Sequence, residues 1–281
     1  MRYNRTVLSC QRLASLIRKD LMVILRSRGM VANFFLPILL VAGILPLLVF
    51  AGSGVLIGAP GTVGQWIVTF IERLPRSITQ EVASLSYQQQ VYYVTAVYYF
   101  APFFLLKPAS IGIALSGTAI VGEKSGRTLE TLLMSPVSDA ELLLSKVVCC
   151  SIPGTLATWV GFFIYSIVIN VVTGPVMNGT WFPVPLWFVL IFLLVPLLSL
   201  LVASLTLAFS LKLRHPGDAT QLGNLILFPL IALFFSQAFG WLHFDLTFIT
   251  VTGAVLIVLN LVLFAAALRV FNRKRLAESG F

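Results

Sequence analysis

The apolar positions fall into one amphipathic stretch followed by six long continuous runs. From Gln11 to Arg28, Leu13, Leu16, Ile17, Leu21, Ile24 and Leu25 recur at helical spacing, with Arg12, Lys19 and Arg26 on the opposite face. This pattern predicts an amphipathic helix along a membrane surface, its apolar stripe in the acyl boundary and its basic face toward anionic headgroups or an acidic partner. Asp20 breaks the stripe, and the positions three and four away, Leu16, Ile17, Val23 and Ile24, offer it no cation. Two readings stand: the carboxylate snorkels or pairs with an Arg elsewhere, or it contacts a soluble partner.

The six runs lie near Val31 to Ala51, Val91 to Val121, Val147 to Val172, Leu186 to Leu211, Leu222 to Trp241 and Phe248 to Val270. At 1.5 Å per residue each is long enough to cross a hydrocarbon layer of about 30 Å. Pro37, Pro46, Pro102, Pro108, Pro196 and Pro229 fall inside them. Neighbouring membrane helices re-satisfy the carbonyls such prolines free, so kinks are expected, not ends. The predicted fold is an all-α integral membrane protein with six transmembrane helices. Residues 1–30 form an N-terminal segment with the interfacial helix, 31–270 the transmembrane domain, and 271–281 a basic tail.

Composition supports this reading. The chain is 58% hydrophobic and 10% charged, with a mean hydropathy of +0.98, against roughly 25% charged residues in an ordinary soluble domain. The net charge of +9 would suit a nucleic-acid binder, but the basic residues flank apolar runs. Arg2, Arg5, Arg12, Arg18, Lys19, Arg26 and Arg28 precede the first; Lys124, Arg127 and Lys146 separate the second and third; Lys212 and Arg214 separate the fourth and fifth; Arg269, Arg273, Lys274 and Arg275 end the chain. The alternate connections hold only Arg73 and Arg76. By the positive-inside rule both termini are cytoplasmic, in a multi-pass protein of the cell membrane. The long basic lead is unlike a signal peptide, so the first run is expected to be retained. Cys10, Cys149 and Cys150 have no metal-site or redox spacing and read as reduced and structural.

The largest external segment, 52–90, opens Gly-rich and continues into Trp66, Ile67, Phe70, Ile71 and Leu74, a helical stripe expected to lie on the outer surface. Tyr92, Tyr93, Tyr98 and Tyr99 follow, where amphipathic rings favour the headgroup layer. Lys107 then falls about 10 Å deep. It either snorkels outward or lines a polar translocation path. The uncharged polar residues of the runs, Asn170, Gln221, Asn224, Gln237 and Asn260, are expected to bond neighbouring helices. Gln221 and Asn224 join Lys107 as candidates for the path.

The segment between the second and third runs, 122–146, reads GEKSGRTLETLLMSPVSDAELLLSK. Arg127 to Met134 predicts a short helix with Leu129, Leu132 and Leu133 on one face and Glu130 and Thr131 turned away. Ser135 and Pro136 break it. Ser138, Asp139, Ala140 and Glu141 form a capping-box pattern opening a second helix that runs into the third run. A helix, break, helix device joined to two spans can pass motion from a soluble partner into the membrane.

At these residues the chain resembles the ABC-2 type transporter permeases. The matching elements are Glu123 and Lys124, Gly126, Thr128 to Glu130, Leu132 and Leu133, Pro136 to Ser138, Glu141 to Leu144, and Lys146. Arg18, Lys19 and Asp20 in the amphipathic start, where the family often has Glu at the last, the six-run plan and the segment 218–229 (DATQLGNLILFP) look like the same family. The resemblance implies that 122–146 holds a coupling helix docking on a separate ABC ATPase subunit, and that two permease copies enclose the path, the second copy completing a homodimer. It implies an exporter. On this reading Glu123, Lys124, Arg127, Leu129, Glu130, Leu132 and Leu133 contact the ATPase, charge setting register and the Leu face giving affinity.

Gly117, Gly122, Lys124 and Ser125 nearly spell a phosphate-binding loop, but Glu123 intervenes and an apolar run precedes it instead of a strand. ATP and Mg are therefore expected on the partner subunit and no cofactor or metal on this chain, which is not itself an enzyme. His215 and His243 lie on opposite predicted sides of the membrane and share no site. The rival reading is an ATP-independent secondary transporter or channel, but such carriers place ionisable groups mid-membrane in two related halves. Lys107 is the one such group, and no internal repeat is evident. Nothing in the residues selects among lipids, drugs, peptides, polysaccharides or ions as cargo.

Overall fold

A computed structural model of the chain describes residues 10–56, 82–119, 138–210, 216–239, 241 and 245–270. Every regular element among the described residues is helical. Six stretches are long and apolar enough to cross a membrane: Arg28–Ala51, Tyr87–Ala119, Ala140–Met177, Pro185–Ser210, Gly217–Gln237 and Leu246–Ala267. The six apolar runs thus fold into six spans, numbered one to six in chain order. The N-terminal amphipathic stretch is a separate helix, Cys10–Arg26. The external stripe at Trp66 to Leu74, His215 and His243 lie outside the described residues.

Spans two and three start earlier than their apolar runs, each at a capping box. The Ser86 hydroxyl accepts from the Gln89 amide while the Ser86 amide donates to the Gln89 side chain, so span two begins at Tyr87, not Val91. Ser-x-x-Gln was the available signal. Ser138 and Glu141 do the same at the start of span three, whose helix runs unbroken from Asp139 to Met177. At 1.5 Å per residue its 39 residues reach about 58 Å, so the helix extends well beyond a bilayer core of about 30 Å.

Three of the prolines expected inside the spans follow π-helical turns, at Leu40–Ile44, Thr95–Tyr99 and Leu190–Leu194. Pro46, Pro102 and Pro196 follow them closely. A proline offers no N–H to the carbonyl four residues back, or to the one five back in a π-turn. Those carbonyls fall inside the turns. In lipid they need other donors, and two of the turns have them. Tyr98 O accepts from the Gln237 amide of span five at 2.6 Å, and Val97 O from the Trp187 indole of span four at 3.1 Å. Ala96 O accepts from the Tyr165 hydroxyl of span three at 2.8 Å. In span four, Ile191 O accepts from the Trp159 indole at 3.0 Å.

Around this node lies the larger core, which marks the far face of the bundle. Trp187 stacks on Tyr165, with ring centroids 5.2 Å apart, and meets Phe104 and Phe182 edge-on. Tyr92, Tyr93 and Tyr98 point into this core instead of to a headgroup layer, because Phe50, Trp181 and the span-two turn offer them a closed aromatic surface. Asn170 closes the far end of span three: its side-chain oxygen accepts from the amides of Trp181 and Phe182, and its amide donates to the carbonyls of Ser166 and Phe182. The second core, on the near face, gathers Phe34, Leu115, Leu142, Val147, Leu207 and Ala267 from five spans.

Span two is the axle of the bundle: 72% of its apolar stretch is buried, against 17% for those of spans five and six. Close approach requires small residues along it. A Cβ on Gly154 of span three would come within 2.9 Å of the Pro108 carbonyl oxygen. Gly154→Leu is expected to cost about 1–3 kcal/mol through overpacking, read as a lower unfolding temperature of the full chain in detergent. Gly217→Ala, whose Cβ would meet nothing within 4 Å, should leave that temperature unchanged.

Candidate functional site

On the near face, three described elements surround the two ends of the segment 120–137. Span three supplies the first. Ser138 is 5% exposed and Glu141 fully buried, so the capping box is an internal joint. The Ser138 amide donates to Glu141 Oε2 at 2.8 Å, and the Glu141 amide to Ser138 Oγ at 3.2 Å. The helix N-terminus also favours the carboxylate electrostatically.

The N-terminal helix supplies the second. Asp20 Oδ2 accepts from Lys146 Nζ at 2.7 Å, with side chains 17% and 8% exposed. The same face of this helix is half-buried at Leu13, Leu16, Ile17, Leu21 and Ile24, while Arg18 and Lys19 are exposed. Ile24 packs against the near core. The residue that broke the apolar stripe thus turns toward span three with the rest of it. Its cation is a lysine more than a hundred residues away, not an arginine. Buried Cys149 and Cys150, in no disulfide, lie one turn beyond Lys146.

The third element is the start of span five, laid against the end of span two. A Cβ on Gly117 would stand 3.1 Å from the Thr220 amide nitrogen, and one on Gly223 would stand 2.7 Å from Ile113 Cγ2. Both glycines are buried. The two roots of the segment are therefore held by unlike means: Ala119 by close backbone packing, Ser138 by a capping box and, two turns on, an ion pair. Spans two, three and five and the N-terminal helix are thus in direct contact around the described ends of the segment.

A family model described as ABC-2 family transporter protein matches residues 63–245. The chain belongs to the ABC-2 transporter family. Searches of curated proteins and of solved structures return no match. Family membership makes the chain a multi-pass transmembrane component of ABC-transporter type, generally not catalytic itself, and such permeases typically work with an ATPase subunit.

Against this geometry the ABC-2 permease's candidate residues divide into three groups. Glu123, Lys124, Arg127, Leu129, Glu130, Leu132 and Leu133, with the Ser135–Pro136 break, lie outside the described residues. Asp20 is brought to span three; Arg18 and Lys19 remain at the surface. Lys107 is half-buried on span two, while Gln221 and Asn224 are exposed on span five with no side-chain hydrogen bond among the described residues. The other polar residues do bond neighbours: Gln237 takes Tyr98 O, Asn260 takes Leu197 O, and Asn170 holds the far loop. Sequence reasoning missed Lys146 as the partner of Asp20. The one signal was an acid with no cation on its own helix.

Neutralising either member of the Asp20–Lys146 pair leaves the other poorly solvated. Asp20→Asn or Lys146→Met is expected to cost on the order of 2 kcal/mol, below the roughly 3–5 kcal/mol of a fully buried pair because Asp20 keeps some water. The check is thermal unfolding in detergent. Asp20→Lys with Lys146→Asp should recover part of the loss, and a swap no better than the single changes would remove the pair's standing as a tie.

Proposed function

We propose that this chain is the permease subunit of an ABC exporter that dimerises, binds a separate ATPase subunit through the segment 122–146, and alternates its central path as ATP is bound and hydrolysed. The observation that carries the reading is the ion pair between Asp20 and Lys146, because it ties the N-terminal helix to the root of the segment on which a partner would act. The helix from Asp139 to Met177 then carries a displacement at Ser138 along the whole depth of span three.

In this reading both termini are cytoplasmic, so the near face is the inner one, as the basic residues require. The N-terminal helix lies in the inner interface with Arg18 and Lys19 toward anionic headgroups. Glu123, Lys124, Arg127 and Glu130 set the register of the ATPase contact while Leu129, Leu132 and Leu133 supply its apolar face. ATP and Mg bind the partner. Gln221 and Asn224, polar and exposed on the inner half of span five, are costly against lipid. A second copy or a water-filled path relieves that cost, and with Lys107 they mark its lining.

Two measurements test the assignment. The tagged chain, purified in mild detergent from its own host, is expected to bring down an ATPase, and Glu130→Lys with Leu133→Asp to abolish that association or its coupling to transport. Reconstituted alone in vesicles, the chain should be inert; sustained solute flux without a companion would favour the secondary-transporter reading.

A further inference from the structure

Resting on the permease reading, we infer that Lys107 is a specificity-determining residue that selects cargo with an anionic head on an apolar body. The inference starts from a charge with no counter-charge among the described residues. Lys107 stands in the interior of span two, and its depth is fixed by its neighbours. The adjoining Pro108 lies against Gly154 of span three, and Gly112 against Ser199, near the middle of span four. Lys107 is therefore about 7 Å beyond that mid-level, toward the far face.

Among the described residues no acid is near it. Asp139, Glu141 and Asp218 open spans three and five on the near face; Asp20 is engaged by Lys146; Asp245 accepts from the Phe248 amide at the far start of span six. The hydroxyls around this level are neutral and balance no charge, and they give their protons to backbone carbonyls. Ser151, Thr155 and Thr158 donate to carbonyls of their own helix, and Ser199 donates to the Ser151 carbonyl. On span five the antiparallel register is set by Thr220 at Gly117, Gly223 at Ile113, and the Phe234 ring 4.8 Å from that of Phe103. That register puts Pro229 and Leu230 level with Lys107, and neither has a side-chain acceptor.

The residue also lies on the open side of its helix. Phe103, Leu106, Lys107 and Ser110 are half-buried, Ala114 and Thr118 are exposed, and the rest of the helix around them is almost wholly enclosed. Lys107 therefore shares one accessible stripe with hydroxyls on the near side and an aromatic ring on the far side. An ammonium in this setting is stabilised by a negative group arriving from outside the chain. A phosphate or carboxylate head at Lys107 with its tail along Phe103 and Leu106 satisfies both the charge and the apolar wall. A cationic cargo would be repelled there.

The test measures binding of fluorescent dioctanoyl phosphatidic acid and dioctanoyl phosphatidylcholine to the full chain in neutral detergent, with inorganic phosphate as competitor. Wild type is expected to bind the anionic probe saturably and at least about tenfold more tightly than the zwitterionic one, a preference worth about 1.4 kcal/mol. Lys107→Met and Lys107→Gln should abolish the preference with unfolding temperature unchanged, and Lys107→Arg should keep it. Equal binding of the two probes by wild type, or an undiminished preference in both neutral variants, would overturn the inference. Full displacement by inorganic phosphate would overturn the requirement for an apolar body. In the complex with its ATPase, cargo should stimulate hydrolysis in wild type and not in Lys107→Met. Binding through Lys107 with no such stimulation would make the ligand a resident lipid headgroup and end the cargo assignment. Failure to recover any ATPase would count against the permease reading, while the probe measurements would stand on their own.

Discussion

Three consecutive carbonyls of span two, those of Ala96, Val97 and Tyr98, hold spans three, four and five to it. Their donors are Tyr165, Trp187 and Gln237. The constraint behind this is the absence of water in a bilayer core, where a carbonyl without a donor is more costly than in a soluble protein. Pro102 withdraws the ordinary helical donor, the π-turn exposes the carbonyls, and long polar-tipped side chains from other spans reach them. The aromatic far core is then arranged around those donors: a Trp or Tyr placed to give up its N–H or O–H has its ring position fixed as well.

The near face is held differently. Its core is aliphatic, its helices meet at glycines, and its one ion pair among the described residues joins the N-terminal helix to span three. Hydrogen bonds from span to span fix distance and direction on the far face. On the near face the described contacts are packed methyl groups and a single charged tie. The near face is also the side where the described residues on either end of 120–137 lie.

Lys107 belongs to neither core. It stands where the enclosed axle of the bundle opens, between the rigid aromatic node and the closely packed glycines, on a span that otherwise has little surface to offer. Among the described residues it is the one charged side chain in the middle of a span without an ion-pair partner, and it stands on the accessible stripe of the most buried helix.

Much of the plan was legible beforehand because lipid imposes its demands on sequence directly. Apolar length sets the spans, the Ser138–Glu141 pattern opens span three, and the repeated leucines of the amphipathic stretch make the helix Cys10–Arg26. Family membership was also readable, from the short motif at 122–146. What sequence alone could not decide were pairings between distant residues: which cation meets Asp20, which donors take the carbonyls freed by the prolines, and whether Tyr92 and Tyr98 face lipid or core. Periodicity reports the environment of a helix face averaged over turns, so it places a residue toward or away from neighbours. Only the packed arrangement of several helices brings two atoms to within 3 Å, and that arrangement determines where a buried charge finds a partner and where, as at Lys107, none stands among the described residues.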